Sequence, residues 1–525
     1  MALLAVLLTT KVIAVVYENY HHIEGTKAWS RDTKRPPRST LNGPLSHLHI
    51  ISVPLGVQDV MFRKIQHIHL VGIGGSGMSG IAEVLLTLGY KVTGSDTGYS
   101  DSIRRLEEMG GTVHIGHHES HIEGAQVVVM SSAISTSNPE IRAARTKVIP
   151  VIPRAEMLAE LMRLKFGIAI AGAHGKTTTT SMVASILAQA GLDPTFVVGG
   201  KVNAMGTHAR LGRSDLLIAE ADESDGSFLR LSPSIVVVTN MDREHLEHYG
   251  SMERLQEAFL EFINKIPFYG AAILCADDPW IRGLLPGVVK RYQTFGMSDF
   301  SGVLTPDLFA TDIEPKALGI EFRAHFRGQK IGPFRIRIPG VHNVANALAA
   351  IGVALELDVP VDLIRSGLAA FSGVERRFQI RGEKNGILVV DDYAHHPTEV
   401  RATLSAARAT WSRRLVVVFQ PHRYSRTRDL VDDFAKAFEL ADVVYILDIY
   451  AAGEEPIPGI SGQTLVDKIS GSGHPSVHWV NSDPGLVSRL RDDLKEGDVL
   501  MTLGAGDVWK IGQELLETLG GKHEE

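Results

Sequence analysis

The stretch that decides the fold covers residues 166–177 and reads Phe166-Gly-Ile-Ala-Ile-Ala-Gly172-Ala-His-Gly175-Lys176-Thr177. Its apolar first half predicts a buried strand, its glycines predict a tight loop, and the threonines that follow predict a helix start. Such a loop can hold phosphates on backbone N–H groups, with the lysine at the β- and γ-phosphates and a threonine hydroxyl on Mg²⁺. The alternative is a glycine turn with a solvated lysine, since Ile170 occupies the position of the strict pattern's first glycine. We predict an ATP site.

The composition is that of an α/β protein. The chain has 525 residues, 51 of them glycine, and this length allows about three domains. A formal net charge of −7 argues against nucleic-acid binding, which usually needs a basic face. The single cysteine, Cys275, cannot form an internal disulfide and fits a reducing cytoplasm. We expect a cytoplasmic protein with no nucleic-acid partner; whether it is a monomer or a dimer stays open.

The N-terminal segment differs from the rest of the chain. Residues 1–16 are apolar, but Lys11 interrupts them and they are shorter than the ~20 residues that cross a bilayer. They also lack the basic leader and the cleavage site of a signal peptide. Residues 27–45 are basic and polar, as in an irregular linker. We therefore expect no stable membrane insertion, and we predict that residues 1–60 are an extension outside the catalytic fold.

The first glycine loop along the chain lies upstream of the phosphate loop and follows the first predicted strand. It reads Gly72-Ile-Gly74-Gly75-Ser76-Gly77, and Asp96 ends the next strand. This is the dinucleotide fingerprint, in which a pyrophosphate contacts backbone amides and a carboxylate contacts a ribose. The same chemistry would serve NAD or a nucleotide-sugar diphosphate, so the loop alone leaves both ligands open.

Polar clusters follow several other predicted strands, at the edge where parallel sheets collect ligands. Glu220 ends one of these strands and can supply a carboxylate to Mg²⁺; the alternative is a solvated strand end. His245 follows another strand, although imidazole is an unusual ligand for so hard a cation. Near the C-terminus, Arg423 and Arg426 could bind a carboxylate bidentately or form ordinary salt bridges.

Together the motifs resemble the Mur ligase superfamily, which builds the peptide of bacterial cell-wall precursors. The resemblance covers residues 62–517 and rests on motifs that begin at Gly172, Glu220, Thr239, Gly340, Glu375, Asp391 and Gln420, in the family's order. The last two, Asp-Asp-Tyr-Ala-His-His-Pro and Gln-Pro-His-Arg-Tyr, favour the alanine-adding member. The resemblance implies an α/β fold of three domains: Rossmann-like at 61–164 for the UDP substrate, P-loop ATPase-like with a mostly parallel sheet at 165–372, and Rossmann-like at 373–525 for the amino acid.

The activity that the resemblance implies is an ATP-dependent ligation in peptidoglycan precursor synthesis. L-Alanine would be joined to the carboxylate of UDP-N-acetylmuramate through an acyl phosphate, with Mg²⁺ as cofactor. The implied ATP-binding residues are Gly172, Ala173, His174, Gly175, Lys176, Thr177, Thr178, Asn343, Asn346, Arg377 and Asp392. The implied UDP-substrate residues are Gly74, Gly75, Ser76, Gly77, Asp96 and Ser132. The implied amino-acid residues are Tyr393, His395, Arg423 and Arg426. The implied metal ligands are Thr177, Glu220 and His245, and the implied catalytic residues are Lys176, Glu220, His245 and His395.

Three other functions are compatible with parts of the sequence. An NAD-dependent dehydrogenase would use the first glycine loop, but hydride transfer needs no second, lysine-bearing phosphate loop. A non-catalytic sensor of UDP-sugars would have little use for the tyrosine, histidine and arginine group near the C-terminus. A sibling ligase for glycine, serine or a preformed peptide is harder to separate, since one methyl group is worth only ~1–3 kcal/mol in a binding pocket.

Overall fold

The structure, a computed structural model, describes residues 65–131, 133–202, 207–297, 305–316, 319–480 and 485–520. The extension predicted for residues 1–60 lies outside this part of the chain, as do Ser132 and the side chain of Ser76. The described residues all belong to one compact unit, Val57–Glu525. Among them, no helix is both long and apolar enough to cross a membrane.

The first sheet is wound around the first glycine loop. Its elements are β1 His67–Val71, α1 Ser76–Thr87, β2 Lys91–Asp96, α2 Asp101–Glu108, β3 Thr112–Ile115, β4 Val127–Met130, α3 Pro139–Thr146, β5 Val151–Pro153 and α4 Arg154–Arg163. The strands are parallel in the order β3-β2-β1-β4-β5, so the winding direction changes at β1. Ligands bind at such a switch point, beyond the carboxyl ends of the strands. The glycine loop that follows β1 lies there.

The second sheet contains the phosphate loop. Its strands are β6 Phe166–Ala171, β7 Thr195–Val202, β8 Thr207–Arg210, β9 Leu216–Glu220, β10 Ile235–Val238, β11 Ala271–Cys275, β12 Tyr292–Gly296, β13 Leu308–Lys316, β14 Gly319–Phe326 and β15 Gln329–Ile336. Its helices are α5 Lys176–Gln189, α6 Leu246–Tyr249, α7 Met252–Asn264, α8 Pro279–Leu284, α9 His342–Glu356 and α10 Val361–Ala370. Across the described residues the strand order is β15-β14-β13-β12-β11-β10-β6-β9-β7-β8. The strands from β13 to β7 in this order are parallel, and β8, β14 and β15 are antiparallel to their neighbours.

Helix α5 is buried along most of its length because it packs on the sheet and against α9 and α10. The Ser185 hydroxyl donates to the carbonyl oxygen of Gly367 at 2.9 Å. A Cβ atom at Gly367 would lie 2.5 Å from Cα of Ile186, so this helix contact requires glycine. The packing fixes α5, and therefore the lysine and threonines at its N-terminus.

The third sheet supplies the remaining polar clusters. Its elements are β16 Gln379–Lys384, β17 Ile387–Asp392, α11 Pro397–Thr410, β18 Leu415–Phe419, α12 Tyr424–Asp429, α13 Val431–Ala437, β19 Val443–Leu447, α14 Gly462–Gly471, β20 Val477–Val480, α15 Leu486–Asp493, β21 Val499–Leu503 and α16 Trp509–Gly520. The order is β16-β17-β21-β18-β19-β20, with all neighbours parallel except β16 and β17. The three sheets confirm the predicted α/β fold with a mostly parallel central sheet.

Candidate active site

The predicted phosphate loop joins β6 to α5 and requires its glycines. Gly172 and Gly175 have φ angles of +127° and +83°. A Cβ atom would lie 2.2 Å from Thr239 Oγ1 at the first position and 2.4 Å from Asn346 Oδ1 at the second. The Thr239 hydroxyl donates to the carbonyl oxygen of His174 at 2.6 Å, so the strand end of β10 holds the loop in place. The conformation of this loop therefore requires glycine at both positions.

Lys176 is directed back into this loop. Its Nζ donates to the carbonyl oxygen of Gly172 at 2.6 Å and to both carboxylate oxygens of Glu223 at 2.9 Å. Burial opposes the charge on the lysine, but Glu223 and Asp222 outweigh it and raise the pKa of Lys176. The lysine is therefore a fixed cation at the mouth of the loop. Sequence reasoning missed the partner, although Glu223 belongs to the acidic cluster after β9.

The three predicted metal ligands line one cleft. Thr177, Glu220 and His245 border a cavity of 460 Å³. One ligand atom from each of Glu223, Glu244 and His245 lies within 4.8 Å of the other two. The carboxylates of Glu220, Glu223 and Glu244 and the hydroxyl of Thr177 are oxygen donors of the kind that Mg²⁺ prefers, whereas the imidazole of His245 is an unusual ligand for it. Glu223 and Glu244 belong to the polar motifs that begin at Glu220 and Thr239, but nothing in their sequence spacing predicted that they are neighbours.

His245 reaches the cleft through an unusual backbone conformation. Its φ of +57° lies in the left-handed region, which few non-glycine residues occupy. Burial alone would lower the pKa of His245, but Glu247 and Glu244 outweigh it and raise the pKa. Residues held in such conformations cluster at functional sites.

The predicted amino-acid residues enter the same cleft from the third sheet. Tyr393, His395, Arg423 and Arg426 all border the 460 Å³ cavity. Arg426 Nη2 donates to Glu244 Oε1 at 3.0 Å, and both side chains are at least nine-tenths buried. Arg423 Nη1 lies 3.6 Å from Glu247 Oε1. Both arginines thus face carboxylates that follow β10, and the cleft is built from two sheets.

His395 is neutral near pH 7. Burial lowers the pKa of His395 to about 4. Its Nδ1 lies 2.9 Å from the carbonyl oxygen of Tyr393, which assigns the ring proton to Nδ1. The ring meets those of Tyr393 and His422 edge to face, with centroids 5.2 and 5.5 Å away. Nε2 is therefore the nitrogen that can accept a proton.

The remaining predicted ATP residues surround a second cavity of 280 Å³. His174, Gly175, Thr178, Asn343, Asn346, Arg377 and Asp392 all line it. Asn346 Nδ2 donates to Asn343 Oδ1 at 3.1 Å, which fixes both amides at the start of α9. Asp392 accepts N–H groups from Phe378 and Ala394 at 2.8 and 2.7 Å, and burial raises the pKa of Asp392 to about 6. The structure brings these residues together as predicted.

The predicted UDP-substrate residues lie at the first sheet. The Gly74 amide donates to Asp96 Oδ2 at 2.8 Å, so the aspartate also closes the glycine loop. Gly75 and Gly77 border a cavity of 240 Å³ that extends to Glu220. Arg154, which sequence reasoning missed, lines it as well. A Cβ atom at Gly77 would lie 2.6 Å from Arg154 Nη1, so the arginine lies directly on the glycine loop.

Comparisons with known proteins agree with this arrangement. Three family models match: "Mur ligase family, catalytic domain" at 67–166, "Mur ligase middle domain" at 170–354 and "Mur ligase, glutamate ligase domain" at 376–506. UDP-N-acetylmuramate–L-alanine ligase of Geotalea daltonii is 55% identical over 459 residues, covering 87% of this chain and 99% of that protein. The enzyme of the same name from Myxococcus xanthus is 54% identical over 457 residues, with 87% and 96% covered.

Solved structures are similar over the same range. The UDP-N-acetylmuramate–alanine ligase of Thermotoga maritima has a TM-score of 0.74 at 28% identity, with 87% of this chain and all of that chain covered. A murein peptide ligase from Psychrobacter arcticus has a TM-score of 0.66 at 27% identity, with 88% of this chain and all of that chain covered.

Proposed function

The chain belongs to the Mur ligase family, and from this premise we propose that it joins L-alanine to the carboxylate of UDP-N-acetylmuramate at the expense of ATP, in peptidoglycan precursor synthesis. The observation that carries the proposal is the 460 Å³ cleft, which brings Lys176, Glu220, Tyr393 and Arg423 together. A dehydrogenase would need none of these groups. The curated relatives named for this activity are 53–55% identical across nearly their whole length.

The two cavities beside the phosphate loop suit ATP. We assign the adenine to the 280 Å³ cavity at Asn343 and Asn346, and the phosphates to the loop at Lys176 and Thr177. Gly175 and Arg377 border both cavities, so a nucleotide can pass from one to the other along the loop. Lys176 would exchange Glu223 for the terminal phosphate and neutralise the charge that grows on it during transfer.

We assign UDP-N-acetylmuramate to the glycine loop of the first sheet. The glycine loop at Gly75 and Gly77 and the guanidinium of Arg154 would hold the diphosphate, because the N-terminus of α1 and a guanidinium both favour phosphate oxygens. The 240 Å³ cavity leads from there to Glu220, so the substrate's carboxylate can reach the phosphate loop. Ser76 and Ser132 stay predictions.

The reaction follows in two steps. A carboxylate oxygen of the substrate bonds to the γ-phosphorus of ATP while the bond to ADP breaks, which gives an acyl phosphate. The neutral amine of alanine then attacks the acyl carbon, phosphate leaves, and the amine loses a proton. Mg²⁺, which Thr177, Glu220 and His245 would hold, supplies charge neutralisation at the phosphates when bound.

Residues of the third sheet would act on alanine. Arg423 and Arg426 would bind its carboxylate, and Tyr393 would border its side chain. His395 is neutral, so its Nε2 would accept a hydrogen bond from the attacking amine and orient it, while the departing phosphate, a stronger base, takes the proton that the amine loses. Positioning would contribute much of the rate, because three ligands, each assigned to a different sheet, must meet at the cleft.

The domain boundaries and the location belong to the same proposal. We propose domains at 61–164, 165–372 and 373–525, supported by α4 ending at Arg163 before β6 and α10 ending at Ala370 before β16. We place the reaction in the cytoplasm, where ATP is available and the single buried cysteine stays reduced.

The test is phosphate release from ATP with UDP-N-acetylmuramate and a panel of alanine, glycine, serine and a preformed peptide. Release that depends on alanine, with the highest kcat/KM for it, supports the proposal. A higher kcat/KM for glycine, serine or the peptide would identify a sibling ligase instead. Nucleotide binding without amino-acid-dependent release would indicate the non-catalytic sensor, and tight NADH binding without release would indicate the dehydrogenase.

A further inference from the structure

Glu399 stands between the two cavities and has no role in the mechanism above. It lies in the first turn of α11, and its side chain is 12% exposed. It borders both the 280 Å³ nucleotide cavity and the 460 Å³ cleft. Glu399 therefore lines both the cavity assigned to the nucleotide and the cleft assigned to the amino acid.

One carboxylate oxygen of Glu399 faces the nucleotide side. Its Oε1 lies 3.3 Å from Nδ1 of His174 in the phosphate loop and 3.5 Å from Nη1 of Arg377. Burial alone would lower the pKa of His174, but Asp242 and Glu399 outweigh it and raise the pKa to about 10, so the ring is cationic. Glu399 thus faces two cations, His174 with 14% and Arg377 with 31% of its side chain exposed.

The other oxygen faces the amino-acid side. Its Oε2 accepts the backbone N–H of His395 at 3.1 Å and that of His396 at 3.4 Å. It also lies 3.3 Å from Nδ1 of His395. Glu399 therefore holds the backbone of His395, the residue proposed to orient the amine of alanine.

A second contact joins the same two elements. His174 Nε2 lies 2.8 Å from Asp242 Oδ2, and the same oxygen accepts the hydroxyl of Thr398 at 2.8 Å. The ring of His174 is thereby held between a carboxylate after β10 and a carboxylate of α11. We therefore expect a shift of the phosphate loop to be transmitted to the start of α11 through Asp242, because charge-assisted hydrogen bonds are stronger than neutral ones.

We propose that Glu399 is a positioning residue that aligns the phosphate loop with the alanine side of the cleft. The proposed effect of Glu399 on the phosphate loop follows from the contacts alone. Its proposed effect on alanine binding rests on the proposed function. The alternative is a purely structural role, because Glu399 completes a capping box with His396 at the start of α11. The two readings differ in what a neutral substitution does: a glutamine side-chain oxygen can still accept the backbone N–H groups, but it cannot balance His174 and Arg377.

The experiment compares Glu399→Gln with the wild type and with Glu383→Gln. Glu383 pairs with Arg413 at 2.9 Å on β16 and borders neither cavity, which makes it a matched control. Calorimetric titration with ADP gives the nucleotide affinity, and initial rates give the KM of each substrate. For Glu399→Gln we expect about tenfold weaker ADP binding and a KM for alanine about tenfold higher, because the carboxylate charge that faces His174 and Arg377 is lost. The KM for UDP-N-acetylmuramate should stay within twofold and serve as an internal control.

Each outcome decides the proposal. Unchanged ADP affinity and alanine KM, with only a lower unfolding midpoint, would leave Glu399 as a capping residue and overturn it. If Glu399→Gln does not fold, His174→Asn tests the same link from the other end: it should raise the alanine KM several-fold, and an unchanged value contradicts the alignment. A wild type without alanine-dependent phosphate release would refute the proposed function, while the ADP titration would still decide whether Glu399 supports the loop.

Discussion

Replacing Lys176 by methionine should abolish turnover and also destabilise the protein, because the lysine neutralises a buried carboxylate. Glu223 is 3% exposed, and both its oxygens lie 2.9 Å from Lys176 Nζ. Removing one partner of a buried ion pair costs about 3–5 kcal/mol of unfolding free energy. The double substitution Lys176→Met/Glu223→Gln removes both charges and should recover at least half of that loss. Neither variant can neutralise the transferring phosphate, so kcat should fall by about 10²–10³-fold or more in both.

Urea denaturation and phosphate release measure the two effects separately. The pH dependence gives a further check on the Lys176→Met variant. Burial raises the pKa of Glu223, and without Lys176 the attraction of His245 is left to oppose that shift, with the repulsion of Asp222 adding to it. The folded variant then holds a proton that the unfolded chain has released, so its unfolding free energy should rise as the pH falls from 8 towards 5. A variant that keeps turnover within tenfold of the wild type would refute the phosphate-loop assignment, and a stability loss below about 1 kcal/mol would refute the ion-pair argument.

Three further predictions concern other parts of the site. Arg423→Ala should raise the KM for alanine about tenfold or more with little change for ATP, measured by initial rates, because a charged hydrogen bond to the alanine carboxylate is lost; an unaltered alanine KM would count against the carboxylate contact. Removal of divalent cations with EDTA should stop phosphate release, and added Mg²⁺ should restore it; release that persists without cations would contradict the assignment of Thr177 and Glu220. The pKa of His174 is raised to about 10 in the folded state, so its stabilising contribution is complete below about pH 6.5 and is lost as the pH rises through 10. Denaturation between pH 7 and 10.5 should therefore show a steeper loss of stability in the wild type than in His174→Asn, and equal slopes would contradict the role of His174.

The fold was largely predictable because its signals are local. The apolar run of β6, the glycines after it and the threonines of α5 are contiguous, and each element has a distinct periodicity. The same holds for the glycine loop after β1 and for the polar residues that follow β9, β10, β17 and β18. Parallel strands bring their carboxyl ends to one edge, so the grouping of Glu220 with His245 follows from topology alone.

The partners of these residues were not predictable, because they depend on contacts between distant segments. Lys176 and Glu223 are separated by 47 positions, and Thr398 and Asp242 by 156. In the sequence, Glu399 has the pattern of an ordinary glutamate in the first turn of a helix. Its position opposite His174 follows only from the packing of the third sheet on the second. Arg154 likewise begins a helix, and nothing in its neighbourhood indicates that it lies on the first glycine loop.

The pairing of Lys176 with Glu223 also affects which anions can bind. A built-in counterion occupies the lysine, so any incoming anion must compete with a carboxylate that is already desolvated and correctly oriented. Inorganic phosphate or sulfate would offer few contacts to offset that displacement, whereas a nucleotide bound as proposed would gain further contacts at Asn343 and Asn346. We therefore expect the loop to favour whole nucleotides over free phosphate, and free phosphate to be a weak inhibitor.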